Sequence, residues 1–186
     1  MEYFAVIDTE TNWNNEVMSI GVVIAEKDTF KKVDDLYFIF DPEYKIGGMF
    51  SMVLPVKGRA PKDLLFTRKI AMEKFKEAFE KYGVKDLFAY NGTFDKNLLN
   101  ELASYRWFDI MKIAAYRQYN DKIPASIECC KTGKMKRNYG VEPMMQLLYG
   151  NCRYTEVHNA LYDAADELEI MRLLGKTFEE YIVAKI

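Results

Sequence analysis

The segment Tyr3-Phe4-Ala5-Val6-Ile7 is apolar at every position and runs into the charged Asp8. A strand with one wet face alternates polar and apolar residues, so apolar side chains on both parities mark a strand covered on both sides. This segment therefore reads as a central strand that stops at Asp8. Two further strand-like runs follow, Val17 to Ala25 and Leu36 to Phe40, with the turn-prone Glu26-Lys27-Asp28-Thr29 between them. The three runs suit an antiparallel meander.

Helical spacing comes next. Within Asp63 to Tyr82, the apolar residues Ala71, Phe75, Ala78, Phe79 and Tyr82 recur on one side, and Gly83 suits the left-handed residue that ends a helix. Asp86 to Tyr90 reads as another buried strand. Thr93 can cap a helix that carries Phe94, Leu98, Leu102 and Tyr105, and Asn159 a helix that carries Leu161, Ala164, Leu168 and Met171. The order βββαβαα argues for an α/β fold, a mixed sheet with helices packed on it, rather than a sandwich or a bundle. From Ile110 to Val141, Pro124, Gly133, Gly140 and scattered charges break any period, and no element is assigned there.

A length of 186 residues with 49% hydrophobic residues fits one compact domain, 1–186, with a sizeable core. Lys and Arg total 26 against 28 Asp and Glu, a net charge of −2, unlike the strongly basic profile of a duplex-coating protein. Residues 1–8 lack a signal-peptide pattern and no later run reaches a membrane span, so a soluble, cytoplasmic protein with no membrane partner is expected. Cys129, Cys130 and Cys152 fit neither a disulfide framework nor the usual zinc spacings and read as reduced thiols.

Three loci carry candidate chemistry. Side chains two apart on a strand point the same way, so Asp8 and Glu10 converge at the strand end. Carboxylates there need water, a basic partner or a divalent cation. Alone, such a triplet is more often an exposed loop. Asp95 follows in the first turn of the helix after Asn91-Gly92-Thr93-Phe94, where an acid can simply complement the helix dipole. Last comes His158, the one histidine, five residues before Asp163 at a helix entrance; a lone histidine is more often a structural hydrogen bonder.

Taken in order, the Asp8-x-Glu10 pair, the Asn91-x-x-Phe94-Asp95 element and His158 four residues clear of Asp163 resemble the motifs of the DEDDh exonucleases of the ribonuclease H-like superfamily. The resemblance covers about Met1 to Gly175. It implies a ribonuclease H-like sheet, antiparallel β1-β2-β3 plus parallel strands, flanked by helices. It also implies 3′-to-5′ hydrolysis of phosphodiester bonds with two Mg²⁺ or Mn²⁺ ions about 3.5 to 4 Å apart. By resemblance Asp8 bridges both ions, Glu10 and Asp163 complete the site that activates water, Asp95 supports the second ion, and His158 is the general base. Thr9, Trp13, Asn91 and Phe94 are the candidate substrate contacts, with the backbone at Thr9 near the terminal sugar and Trp13 stacking on or wedging beside a base.

The expected partner is a DNA or RNA 3′ end, single-stranded or short given the near-neutral charge. Two departures bear on it. Asn12-Trp13-Asn14-Asn15 replaces the Gly and apolar residue of many relatives, and the unaligned stretch 106–140 holds the basic cluster Lys131, Lys134, Lys136 and Arg137, expected to meet substrate phosphates. Two other classes stay open: a catalytically silent nucleic-acid-binding module of the same fold, and a metal hydrolase of small nucleotides.

Overall fold

The structure is a computed structural model that describes residues 1–150 and 153–186, so Cys152 lies outside the described residues. The first strand, β1 (Tyr3–Thr11), does not stop at Asp8. Its neighbour β2 (Val17–Glu26) pairs with it from Tyr3↔Glu26 to Glu10↔Ser19, and this ladder carries the strand past the end of the apolar run. β3 (Lys32–Phe40) continues the antiparallel meander.

Two short parallel strands escape the sequence pattern. β4 (Leu65–Phe66) pairs beside β3, and β6 (Arg106–Asp109) beside β5 (Asp86–Ala89), which itself runs parallel to β1. The result is a six-stranded mixed sheet in the order β4-β3-β2-β1-β5-β6.

Because β4 and a turn at Pro61–Asp63 occupy its expected start, α1 spans Arg68–Tyr82, with Thr67 capping it and Gly83 ending it at φ 66°. α2 (Thr93–Leu98) is shorter than the spacing suggests: Leu102 lies in a separate 3-10 turn and Tyr105 just before β6. Its cap is Gly92 rather than Thr93, and it is turned so that Asp95 and Leu99 are buried while Phe94 is 43% exposed. The unassigned stretch contains α3 (Ile110–Ala114), and α4 (Val141–Tyr149) follows it. α5 (Ala160–Leu174) is capped by Asn159, whose side chain accepts the Leu161 N–H, and buries Leu161, Ala164, Leu168 and Met171 as expected.

Both faces of the sheet are covered. Ala5 and Ile7 join Ala71, Phe75, Phe79 and Trp107 in a core on the α1 side. Phe4 and Val6 join Ala160, Ala164, Leu168 and Met171 on the α5 side. Among the described residues no helix is long and apolar enough to cross a membrane. Cys129 and Cys130 are free, the first partly buried and the second exposed.

Candidate active site

Strand parity decides which face the acids join. Asp8 and Glu10 continue the parity of Phe4 and Val6, so they point to the side on which α5 packs. Asp8 stands opposite Gly21 in the β1–β2 ladder. A Cβ at Gly21 would collide with the Ala160 carbonyl and the Leu161 nitrogen, so only a residue without a side chain lets the start of α5 lie against the sheet here. That close approach brings Asp163, in the first turn of α5, to the β1 acids.

The ligand atoms of Glu10, His158 and Asp163 all lie within 4.8 Å of one another. Asp95 is 2% exposed and accepts the Thr9 hydroxyl at 2.7 Å, which ties α2 to β1. His158 adopts a left-handed backbone, φ 60°, and its ring stacks on Phe50 with centroids 4.2 Å apart and planes 16° from parallel. Phe50 is delivered by the loop after β3. Gly48 packs so tightly there that a Cβ would come 2.5 Å from the Thr11 carbonyl oxygen. Asn159 holds the same loop from the other side, donating to the carbonyls of Val53 at 2.6 Å and Leu54 at 3.3 Å.

The acids repel one another. Burial first, then the charges of Glu167, Asp95, Asp163 and Glu10, hold Asp8 well above the ordinary aspartate range. Burial, followed by the charges of Asp163, Glu156 and Asp95, pushes Glu10 to about 8. Asp163 is likewise raised to about 8, by burial and then by Glu156 and Asp166, against the hydrogen bonds from the His158 and Asn159 backbone. Asp95 rises to about 7 through burial, with the Thr9 hydroxyl opposing it.

Asp86, a fully buried acid at the other end of β5, shows the contrast: Lys27 lies 2.9 Å and Arg106 2.6 Å away. At Asp8 the largest influences are burial and the neighbouring carboxylates Glu167, Asp95, Asp163 and Glu10, all of which raise its pKa. Asp163 Oδ1 is buried and has no hydrogen-bond partner among the described residues. Hard oxygen donors, crowded like charges and an unsatisfied carboxylate oxygen fit one or more divalent cations such as Mg²⁺ or Mn²⁺.

The sequence reading missed three contributors. Glu167, one turn beyond Asp163 on α5, is 1% exposed and accepts the Tyr90 N–H at 3.0 Å. Its signal was a charge on the apolar stripe Ala164, Leu168, Met171. Gly21 carried the weaker signal of a glycine inside a strand. Phe50 carried none, since only the tertiary fold sets it beside His158.

The remaining candidates sit in their own local settings. Thr9 is buried with its hydroxyl committed to Asp95. Trp13 is 67% exposed in the turn after β1, its backbone N–H donating to the Gly47 carbonyl at 2.9 Å. Asn91, exposed at φ 61°, donates its N–H to Asp109 at 2.9 Å, and Phe94 projects from α2. In the basic cluster, Lys136 is paired with Glu128 at 3.2 Å, and Lys134 lies over the Tyr139 ring.

Neither a family model nor a curated protein matches this chain at the sequence level. Solved structures do match by fold. A 3′-exonuclease in a structure of 3′-end-specific recognition of the histone mRNA stem-loop superposes with a TM-score of 0.64 at 18% identity, over 93% of this chain and 63% of that one. The nuclease domain of 3′hExo, described as a DEDDh family member bound to rAMP, gives 0.61 at 18% identity, over 92% of this chain and 90% of that one. Exonuclease X in complex with 5′-overhanging duplex DNA gives 0.54 at 21% identity, over 97% and 98%. The chain thus spans 63% of the first of these and nearly all of the last. Its fold is the ribonuclease H-like fold of the DEDDh exonucleases.

Proposed function

We propose that the chain is a metal-dependent exonuclease that hydrolyses phosphodiester bonds from the 3′ end of DNA or RNA. The observation that carries this reading is the convergence of Glu10, His158 and Asp163 within 4.8 Å beside Asp8 and Asp95, five groups from three separate segments. Asp8, Glu10, Asp95 and Asp163 would hold two Mg²⁺ or Mn²⁺ ions. When bound, such ions neutralise charge on the phosphoryl oxygens and make water a competent nucleophile near neutral pH.

The chain's own residues do the rest. His158, held flat by Phe50, is the base that takes a proton from the attacking water. Thr9 keeps Asp95 oriented through its hydroxyl, and its backbone lies where the terminal sugar would sit. Trp13 in the turn after β1 and Phe94 on α2, both exposed, would flank the terminal bases, and Asn91 precedes α2. Solved structures of Exonuclease X with overhanging duplex DNA and of E. coli Exonuclease I with oligonucleotides share this fold, which supports a nucleic-acid substrate here.

The test compares a 5′-labelled oligonucleotide with a nucleoside triphosphate, each with Mg²⁺ and with EDTA. Stepwise shortening of the oligonucleotide from its 3′ end, abolished by EDTA, is the expected result. Hydrolysis of the triphosphate alone would move the chain to the small-nucleotide hydrolases, and binding without cleavage would make it a silent module.

A further inference from the structure

Between β6 and α4 the chain makes an excursion that the motifs do not touch. Tyr116 and Lys134 face each other across an antiparallel bridge, with the Met135 N–H donating to the Ala115 carbonyl at 2.9 Å and the Arg117 N–H to the Gly133 carbonyl at 3.0 Å. Directly opposed residues of such a pair put their side chains on one side. Lys112 Nζ stands 4.2 Å above the Tyr116 ring, and Lys134 Nζ stands 4.1 Å above the Tyr139 ring. A row results, Lys112, Tyr116, Lys134, Tyr139, in which cation and ring alternate.

This row borders the acids. The Tyr90 hydroxyl donates to the Tyr139 carbonyl at 2.6 Å, while the Tyr90 N–H donates to the site carboxylate Glu167. The charge of Lys134 reaches Asp109, which accepts the Asn91 N–H just before α2. The carboxyl ends of β1, β5 and β6, where ligands of open α/β sheets collect, therefore have acids at one side and the row at the other. Among the described residues neither Lys112 nor Lys134 forms a salt bridge, whereas Lys136 is spent on Glu128.

We propose that the Lys112–Tyr116–Lys134–Tyr139 row binds the single-stranded segment of nucleic acid that lies 5′ of the terminus held at the acids. Each lysine meets a phosphate, the exposed ring of Tyr139 stacks on a base, and Tyr116, partly buried against the core, holds Lys112 in place beneath the strand. A duplex keeps its bases stacked on each other, so rings of this kind serve an unpaired strand. The proposal rests on the exonuclease reading and adds the track that makes long single strands better substrates than short ones.

The experiment measures KM in Mg²⁺ for 5′-labelled oligonucleotides of two lengths, a trimer and a dodecamer, across a salt series. Wild type is expected to show a lower KM for the longer strand. Lys112→Gln with Lys134→Gln should erase that advantage and flatten the salt slope by about 1.4, at about 0.7 per phosphate contact on a single strand. Tyr139→Leu should raise the KM of the longer strand roughly tenfold and leave the salt slope unchanged. Lys112→Arg with Lys134→Arg retains the charge and should restore the salt slope, and melting curves establish that each variant is folded. A folded Gln variant with the wild-type length ratio and salt slope overturns the track while the exonuclease reading stands. If wild type degrades neither oligonucleotide, the exonuclease reading fails and the track falls with it.

Discussion

At the scale of single residues, the site consists of acids that burial and mutual repulsion make costly without a cation. Replacing one of them relieves part of that cost. Asp8→Ala and Asp163→Ala should each reduce nuclease activity to near background, while the melting temperature measured in EDTA holds or rises. Retained turnover in either variant removes that residue from the chemistry. His158 makes a different case, since it stacks on Phe50 and stands among the acids. His158→Ala should slow single-turnover cleavage by about 10² to 10⁴-fold with substrate affinity little changed. A destabilised protein that turns over normally would instead make the histidine a structural residue. Most of this set was legible, because Asp8, Glu10, Asp95, His158 and Asp163 come in short fixed spacings on recognisable elements. Glu167 and Phe50 were not, since one is an i+4 neighbour hidden in an apolar stripe and the other arrives from a loop distant in sequence.

At the scale of elements, the long strands and helices were readable and the short ones were not. β1, β2 and β3 contain long apolar runs, and α1 and α5 each display several repeats of the helical period. β4 spans only Leu65–Phe66 and β6 only Arg106–Asp109, too few residues to show any period, and both exist because a neighbouring strand offers a parallel edge. α4, which no sequence expectation covered, carries Pro143 in its first turn, a place a helix tolerates. The junction between α5 and the β3 loop makes the clearest element-scale prediction. Asn159 is fully buried, caps α5 through the Leu161 N–H, and donates to the Val53 and Leu54 carbonyls. Asn159→Ala removes a helix cap, typically about 1 kcal/mol, and takes the Asn159 donor from the partly buried Val53 carbonyl at about 1 to 3 kcal/mol, while the Leu54 carbonyl keeps the Tyr37 hydroxyl. Chemical denaturation should register a loss of about 2 to 4 kcal/mol. A change under about 0.5 kcal/mol would show that the loop and α5 do not depend on this residue.

For the whole molecule, the raised acids make stability depend on pH in a direction opposite to that of salt-bridged carboxylates. Glu10 and Asp163 at about 8 and Asp95 at about 7 bind protons more tightly folded than unfolded. Their contribution is present in full below the unfolded carboxylate pKa, near 4, and is lost as pH rises through about 7 to 8. In EDTA the melting temperature should therefore fall between about pH 5 and pH 8.5, and added Mg²⁺ should shrink that fall by binding the ionised acids. A melting temperature that is flat or rising over this range without metal would mean that the acids are paired by something else.

Gly21 has a bearing on how this protein tolerates change. Four of the acids ride on two bodies, Asp8 and Glu10 on the sheet, Asp163 and Glu167 on α5, and the close contact between these bodies contains no side chain at Gly21. In a deep mutational scan, sensitivity to loss of activity would then not be confined to residues that touch substrate. It would also mark a seam along β2 under the start of α5, where adding one carbon widens the gap between two halves of a site it never enters.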